Sequence, residues 1–258
     1  MQHILSTFPS DHQTLDNRVD PAKTAPVCVP KVRAKDRPTV YVARLATEGQ
    51  VRDDAYRIRY RSYVAGGHIE PNVTERFSDV YDDMPNASTI VIYDADEPVA
   101  SVRTCTFARG TDLRSPALDA FPDEVRALLD RDRSGPFSGR GIEVTRLVRV
   151  PEAENNQGLV FLLYRMAGYV ALCAHSQVHL ACVRGNHAPF YRRLGYEPAS
   201  ELKPYPGLSC AMRLMASDRR RYDEVRRAVP VMDPLGGLSG NLAAFFQGGP
   251  VSLHLRKV

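Results

Sequence analysis

One apolar stretch constrains the fold of this 258-residue chain more than any other feature. Residues 157–175 carry apolar side chains on most of the circumference of a helix: Leu159, Val160, Leu162, Leu163, Met166, Ala167, Val170 and Ala171. A helix with so wide an apolar surface needs protein packed around most of it. Because the flanking segments 141–150 and 178–183 are rich in β-branched residues, we expect this helix to be buried against a sheet.

Strand and helix patterns alternate along the rest of the chain. Strand patterns occupy residues 40–45, 87–94, 99–107, 141–150, 178–183 and 208–215. Helical spacing occupies residues 50–63, 119–131, 157–175 and 186–196. The order β-α-β-β-α-β-α-β-α-β predicts an α/β fold on a mixed sheet.

Proline spacing and local charge divide the chain into three parts. In residues 1–38, Pro21, Pro26, Pro30 and Pro38 interrupt any helix, which predicts a flexible tail or a lid. Residues 39–216 carry the alternating pattern and predict one domain. Residues 217–258 begin with a basic helical pattern and continue with glycine and proline, which predicts a helical C-terminal extension.

Composition excludes several classes of protein. Hydrophobic residues make up 43% and charged residues 25%, the balance of a soluble globular chain. No apolar run has the length of a membrane span, and the first residues do not resemble a signal peptide, so we expect a cytoplasmic protein without stable membrane insertion. The net charge of +4 is small and no nucleic-acid-binding motif accompanies the arginine clusters, which argues against a nucleic-acid partner.

Cysteine and histidine positions do not indicate a metal site. The five cysteines are scattered and show no spacing typical of zinc sites or disulfide frameworks, so we interpret them as free thiols. No carboxylate or cysteine stands at ligand spacing around His175, His179 or His187.

A short motif follows the 178–183 strand. Residues 186–196 read NHAPFYRRLGY. An Asn, a helix with a Tyr and a closing Leu-Gly-aromatic at this place resemble the signature of the GNAT acyltransferase superfamily. The resemblance implies a mixed, mostly antiparallel central sheet flanked by helices. It also implies that Asn186 and Phe190 contact the pantetheine arm of an acyl donor, and that Tyr191 gives a proton to the departing thiolate. A core aromatic residue and an ordinary helix cap at Gly195 are the alternative interpretation.

A second, dispersed motif precedes the first along the chain. Its residues are Arg57, Arg59, Arg61, Asp79, Asp82, Arg103, Glu143 and Arg146. Their order and spacing resemble two related branches of the GNAT fold, the acyl-homoserine-lactone synthases and the N-acyl amino acid synthases. The resemblance covers roughly residues 40 to 215.

This second resemblance implies roles for the charged residues. Glu143 accepts a proton from the attacking amine, because an α-ammonium of pKa near 8 is not nucleophilic. Arg146 acts beside Glu143 in catalysis, and Arg103 contacts the donor. Structural or acceptor-binding roles fall to Arg57, Arg61, Asp79 and Asp82. A purely structural ion-pair network of Glu143 and Arg146 with Asp79, Asp82 and Arg103 explains the same residues equally well.

Backbone N–H groups of the 141–150 strand can also contact the thioester of the acyl donor. Its alternation predicts Ile142, Val144 and Arg146 on one face and Glu143, Thr145 and Leu147 on the other. Where two parallel strands splay apart, the N–H groups around Leu147, Val148, Arg149 and Val150 can polarise the thioester carbonyl as an oxyanion hole.

Two departures from the related branches bear on the donor. The chain has no Trp, whereas the lactone synthases use tryptophan near the N-terminus. Residues 155–158, Asn-Asn-Gln-Gly, replace the glycine-rich pyrophosphate loop of acetyl-CoA-dependent members. A phosphopantetheine arm brings one phosphate and tolerates such a loop. Arginine clusters then offer docking sites for an acidic acyl carrier protein, although a solvated helix face explains each cluster singly: Arg57, Arg59, Arg61, Arg192, Arg193 and Arg219–Arg221.

The leading hypothesis is therefore an N-acyltransferase without a permanently bound cofactor. It moves a long-chain fatty acyl group from an acyl-phosphopantetheine thioester, on acyl carrier protein or coenzyme A, to the α-amine of an amino acid or another small amine by direct attack. Alternatives are a lactone synthase that uses S-adenosylmethionine, an acetyl-CoA-dependent N-acetyltransferase, and a non-catalytic module that binds acyl thioesters.

Overall fold

The structure is a computed structural model that describes residues 39–131, 135–205, 207–234 and 242–255. The predicted tail or lid, residues 1–38, lies outside the described residues.

Nine strands and seven helices are present in the described ranges. The strands are β1 Thr39–Leu45, β2 Ala87–Asp94, β3 Glu97–Ala108, β4 Arg140–Arg149, β5 Val178–Val183, β6 Glu197–Pro198, β7 Lys203–Pro204, β8 Ala211–Asp218 and β9 Val251–Leu255. The helices are α1 Gly49–Ala65, α2 Pro116–Ala120, α3 Pro122–Arg131, α4 Gln157–Cys173, α5 Ala188–Arg193, α6 Arg219–Ala228 and α7 Leu242–Phe245.

The strands form one sheet in the order β6-β8-β5-β4-β3-β2-β1-β9, and β7 pairs with β8 beside this path. β4 and β5 pair in parallel, and the other described pairs are antiparallel. The predicted mixed, mostly antiparallel sheet flanked by helices is confirmed.

Helices cover both faces of the sheet. α4 lies on one face, where Leu162, Leu163 and Met166 are fully buried. The predicted burial of this helix is confirmed. α1 lies on the opposite face, and its Ile58 belongs to a separate apolar cluster with Val148 of β4. β4 is thus packed on both sides at the centre of the molecule.

The predicted helix over residues 119–131 is two helices in the structure. α2 ends at Ala120, and the φ of −137° and ψ of 52° of its C-cap residue, Phe121, are not helical. α3 begins at the next residue, Pro122. Proline disfavours the α conformation of the residue before it, which explains the break.

The C-terminal extension is only partly helical, so the prediction of a helical extension is wrong for residues 251–255. α6 begins at Arg219, and the side chain of its N-cap residue, Asp218, accepts from the Arg221 N–H. β9 instead pairs antiparallel with β1, and its Val251 and Leu253 are fully buried. A five-residue strand completes the sheet edge because its alternating apolar residues cover the same core as α4.

Close packing of α6 on α4 predicts a strong effect of a single methyl group. A Cβ at Gly168 would overlap the hydroxyl oxygen of buried Tyr222, which has no hydrogen-bond partner in the structure. We expect Gly168→Ala to lower the free energy of unfolding by ~1–2 kcal/mol, measured by urea denaturation, despite the better helix propensity of alanine.

Tyr222→Phe provides the matched control. Alone it should change stability little, and combined with Gly168→Ala it should restore part of the loss. An equal loss from Gly168→Ala with and without Tyr222→Phe would contradict this packing.

Candidate active site

A cleft opens where β4 and β5 separate. The two strands pair in parallel from Gly141 opposite Val178 to Glu143 opposite Leu180. Beyond these residues β4 continues to Arg149 and β5 to Val183, but the two strands no longer pair with each other. The parallel strands therefore splay apart as the sequence interpretation required.

A β-bulge in β4 accompanies the separation. One residue of β3, between Ser101 and Arg103, stands opposite two residues of β4, Arg146 and Leu147. Arg146 has a φ of +52°, a left-handed conformation that costs a non-glycine residue roughly 1–2 kcal/mol. A bulge adds a residue and interrupts the alternation of side chains.

The bulge reverses two of the predicted side-chain directions. Leu147 packs with Ile142 and Val144 against the α4 side of the sheet. Arg146 instead reaches Asp79, the same carboxylate that Arg103 contacts. The prediction that Arg146 shares a face with Ile142 and Val144 is wrong, because that alternation assumed a regular strand.

Two aspartates hold three buried arginines. Asp79 accepts from Arg103 at 2.5 and 3.1 Å and from Arg146 at 2.7 and 3.0 Å. Asp82 lies 2.7 Å from Arg59 and 2.9 Å from Arg103. Burial alone would raise the pKa of Asp79, but Arg103 and Arg146 together lower it to about 2. The predicted ion-pair network therefore exists, with Arg59 in it and Glu143 outside it.

Glu143 does not line the cleft. Its side chain is fully buried, and Oε2 accepts the backbone N–H of Ala117 in α2 at 2.8 Å. Oε1 has no hydrogen-bond partner in the described structure. Burial raises the pKa of this carboxyl. The expectation that β4 aims Glu143 at the cleft is not met, since the side chain points to the start of α2.

The cleft has a volume of about 600 Å³. Its walls come from β4, β5, the end of α1, the beginning of α4, α5 and the segment around β7 and β8. Aromatic and apolar side chains line its interior: Tyr63, Val160, Val183, Tyr164, Phe190, Tyr191, Tyr205 and Leu208. Basic and imidazole side chains also line it: His68, Arg146, Arg149, Arg184 and His187.

Two backbone N–H groups of β4 point to the open side. The Val150 N–H donates to the Val99 carbonyl of β3 at 3.0 Å. Donor direction alternates along an antiparallel strand, so the Val148 N–H also points at β3. The N–H groups of Leu147 and Arg149 point away from β3, toward the gap with β5. Of the four predicted oxyanion donors, these two have the required direction.

Tyr191 lies in the wall of the cleft. Its ring is T-shaped to Tyr164, with centroids 5.9 Å apart, and Phe190 completes the aromatic group. Burial raises the pKa of Tyr191 to about 12, so the phenol is neutral at pH 7. Asn186 is exposed and does not line the cleft.

Arg149 lies where β4 approaches α4. Its Nη1 donates to the Asn156 carbonyl at 2.9 Å, and the described residues place no carboxylate within 4.0 Å of it. Gly158 in the first turn of α4 faces Leu255 of β9, and a Cβ there would overlap that side chain. Close packing on β9 therefore explains this glycine.

Arg57 and Arg61 lie outside the cleft. Arg57 binds Asp53 at 2.8 Å and Arg61 binds Glu152 at 2.6 Å, and all but Asp53 are largely exposed. Surface pairs of this kind contribute little to stability.

Several cleft residues were not predicted from the sequence. Tyr63, His68, Cys182, Arg184 and Tyr205 come from three separate segments, around the ends of α1, β5 and β7, and belong to no recognisable motif. Burial raises the pKa of the Cys182 thiol well above its usual value, so the thiol is protonated. Only the fold brings these residues together.

The model of one protein family, described as N-acyl amino acid synthase FeeM, matches residues 54–218. The chain belongs to the FeeM family of N-acyl amino acid synthases. It is an acyltransferase, and the predicted GNAT fold is confirmed. Among curated proteins, none matches this sequence.

Several solved structures are similar to this chain in fold. FeeM itself, an N-acyl amino acid synthase from uncultured soil microbes, is 19% identical over 76% of this chain and 97% of its own, with a TM-score of 0.58. The CoA-dependent acyl-homoserine lactone synthases BjaI and MesI are each 16% identical, with TM-scores of 0.50. BjaI aligns over 70% of this chain and 83% of its own, and MesI over 75% and 91%.

The described residues contain neither a candidate membrane span nor a candidate metal site. No helix there is long and apolar enough to cross a membrane. No group of three or more His, Cys, Asp or Glu side chains there is arranged to hold a metal ion.

The shared carboxylate of Asp79 gives a direct stability prediction. Asp79→Asn leaves Arg103 and Arg146 buried without their counter-charge, and we expect a loss of roughly 3 kcal/mol or more in the free energy of unfolding. Urea denaturation at neutral pH measures it. Arg57→Gln, which breaks only a surface pair, is the control and should change stability by less than about 1 kcal/mol.

The contribution of Asp79 to the free energy of unfolding should also depend on pH. The folded-state pKa of Asp79 is depressed to about 2, so its contribution is present above the unfolded value near 3.9 and is lost as pH falls through 2. The stability difference between wild type and Asp79→Asn should therefore shrink by about 2 kcal/mol from pH 5 to pH 2. A difference that is independent of pH would contradict this assignment.

Proposed function

We propose that the protein transfers a long-chain fatty acyl group from the phosphopantetheine thioester of an acyl carrier protein to the α-amine of an amino acid, in one direct attack. The observation that supports this most strongly is the splayed cleft, which is lined by Leu147 and Arg149 of β4 together with neutral Tyr191.

The thioester carbonyl lies between the strands and accepts from the N–H groups of Leu147 and Arg149. Attack of the amine converts this carbonyl oxygen to an oxyanion. Fixed backbone donors stabilise that charge without reorganisation, which is the largest electrostatic contribution in many acyl transfers.

Tyr191 donates a hydrogen bond to the departing sulfur. Complete proton transfer from a phenol of pKa about 12 to a thiolate of pKa about 8.5 is unfavourable by roughly 5 kcal/mol. The role implied by family resemblance, a full proton donor, is therefore replaced here by hydrogen-bond stabilisation of the leaving thiolate.

The proton balance closes without a strong base in the cleft. The C–N bond forms, the C–S bond breaks, and the proton released by the amine ends on the thiol product. An α-ammonium is in equilibrium with a small neutral fraction at pH 7, so free amine is available for attack. We assign Glu143 to positioning α2 through Ala117, and not to contact with the amine.

An acyl-enzyme is not part of the proposal. Cys182 lines the cleft, but burial and the charge of Glu143 hold the pKa of its thiol high. A thiol attacks thioesters only as its thiolate, so direct transfer to the amine is the simpler route.

Unpaired surface charge supports the carrier protein as donor. Arg192 and Arg193 on α5 are exposed. No carboxylate of the described residues lies within 4.0 Å of either side chain. Arg219, Arg220 and Arg221 instead pair with Asp223 or Glu224 in their own helix. We therefore assign docking of an acidic carrier protein to α5. Arg149, beside α4, is assigned to bind the single phosphate of the carrier protein's phosphopantetheine arm.

Product analysis tests the proposed chemistry. Purified protein, a long-chain acyl carrier protein, all common amino acids and S-adenosylmethionine should yield N-acyl amino acids, identified by mass spectrometry. Tyr191→Phe should lower the rate roughly 10- to 100-fold, because it removes the donor to sulfur. Tyr60→Phe is the control, since Tyr60 lies outside the cleft. A lactone product, or no product, would contradict the proposal.

The donor assignment has its own test. A double variant, Arg192→Glu with Arg193→Glu, should raise KM for acyl carrier protein roughly tenfold or more and leave KM for the matching acyl-CoA nearly unchanged. Arg220→Glu, an exposed arginine with a partner, is the control. An equal rise in KM for both donors would contradict a role of α5 in recognising the carrier protein.

A further inference from the structure

Three side chains meet at one end of the cleft. Arg184 directly follows β5, and its Nη1 lies 2.9 Å from Nε2 of His68, just beyond α1. Its Nη2 lies 3.1 Å from Nε2 of His187. All three line the cleft that holds the N–H groups of β4.

The two imidazoles in this cluster are neutral. A guanidinium only donates hydrogen bonds, so each Nε2 accepts and each ring carries its proton on Nδ1. Burial lowers the pKa of His68 and His187, and the charge of Arg184 lowers both further.

Arg184 therefore keeps an uncompensated positive charge in the cleft. The described residues place no carboxylate within 4.0 Å of it, whereas Arg59, Arg103 and Arg146 all bind aspartates. A guanidinium has five N–H donors, and two are engaged by the imidazoles. The remaining donors and the charge are suited to an anionic ligand.

We propose that Arg184, oriented by His68 and His187, binds the carboxylate of the amino acid acceptor. This inference rests on the proposed function and specifies the residue that recognises its acceptor. A guanidinium matches the two oxygens of a carboxylate, which orients the adjacent α-amine as well as binding it. The imidazoles hold the guanidinium without neutralising it.

The donor phosphate is the competing ligand for this charge. Arg149 is the better candidate for phosphate, because it contacts the Asn156 carbonyl beside the first turn of α4. Arg184 instead contacts His68, in the segment after α1. The two arginines thus predict separable effects on donor and acceptor.

The test compares amines with and without the carboxylate. Wild type and Arg184→Gln receive the acyl donor with either an equimolar mixture of the common amino acids or the matching mixture of amino acid amides. Wild type should acylate the acids in preference to the amides, and Arg184→Gln should lose roughly 10- to 100-fold in kcat/KM for the acids with little change for the amides. Arg184→Lys should recover part of the loss.

Arg149→Gln is the matched control in the same cleft and should raise KM for the donor instead. An equal loss for acids and amides, a wild type without preference for acids, or a rise in donor KM for Arg184→Gln would each overturn the inference. If wild type makes no acylated amine at all, the proposed function fails; if it does and the acids and amides respond alike, only the role of Arg184 fails. Thermal unfolding of each variant, and His187→Gln as a second variant with the same expected selectivity, separate misfolding from lost recognition.

Discussion

The carboxylate of Asp79 is the interaction on which the site depends. It joins Arg103 on β3 to Arg146 in the bulge of β4, and its four hydrogen bonds hold a backbone conformation that is unfavourable by itself. Because β4 bulges, it leaves β5 and exposes the N–H groups of Leu147 and Arg149. The charged motif thus acts indirectly, by fixing the strand that carries the proposed oxyanion donors.

Charge is distributed unevenly around the cleft, and this distribution suits acyl transfer. Arg146, which is paired with Asp79, lines the cleft, while Tyr191 and Cys182 in the cleft are neutral because burial raises the pKa of each. Arg149 and Arg184 also line the cleft, and the described residues place no carboxylate within 4.0 Å of either. An apolar interior with such cations accommodates an apolar acyl chain, together with a pantetheine phosphate and an acceptor carboxylate that carry negative charge.

The elements of the fold were predictable from local patterns because each strand and helix carries its own periodicity. Two of the wrong predictions concern the sheet. Arg146 changes face because a bulge adds one residue, and β9 forms because it pairs with β1. The bulge leaves no mark in the local sequence, whereas β9 carries the alternating apolar residues of a strand within a segment that was predicted from its basic helix.

The site was predictable only where a motif marks it. Tyr191 and the β4 backbone lie in the cleft, as the two motifs implied, whereas Glu143 points to α2 and Asn186 is exposed. Arg184 and His68 were missed because they are 116 positions apart and meet only through the fold. Motifs therefore located the cleft but not its full lining.

A crystal structure with a non-reactive thioether analogue of the acyl-phosphopantetheine donor would test the central claim most directly. The splayed cleft should hold the analogue, with its carbonyl oxygen within about 3 Å of the N–H groups of Leu147 and Arg149 and its sulfur beside the Tyr191 hydroxyl. A carbonyl bound elsewhere on the protein, with the gap between β4 and β5 unfilled, would contradict the account.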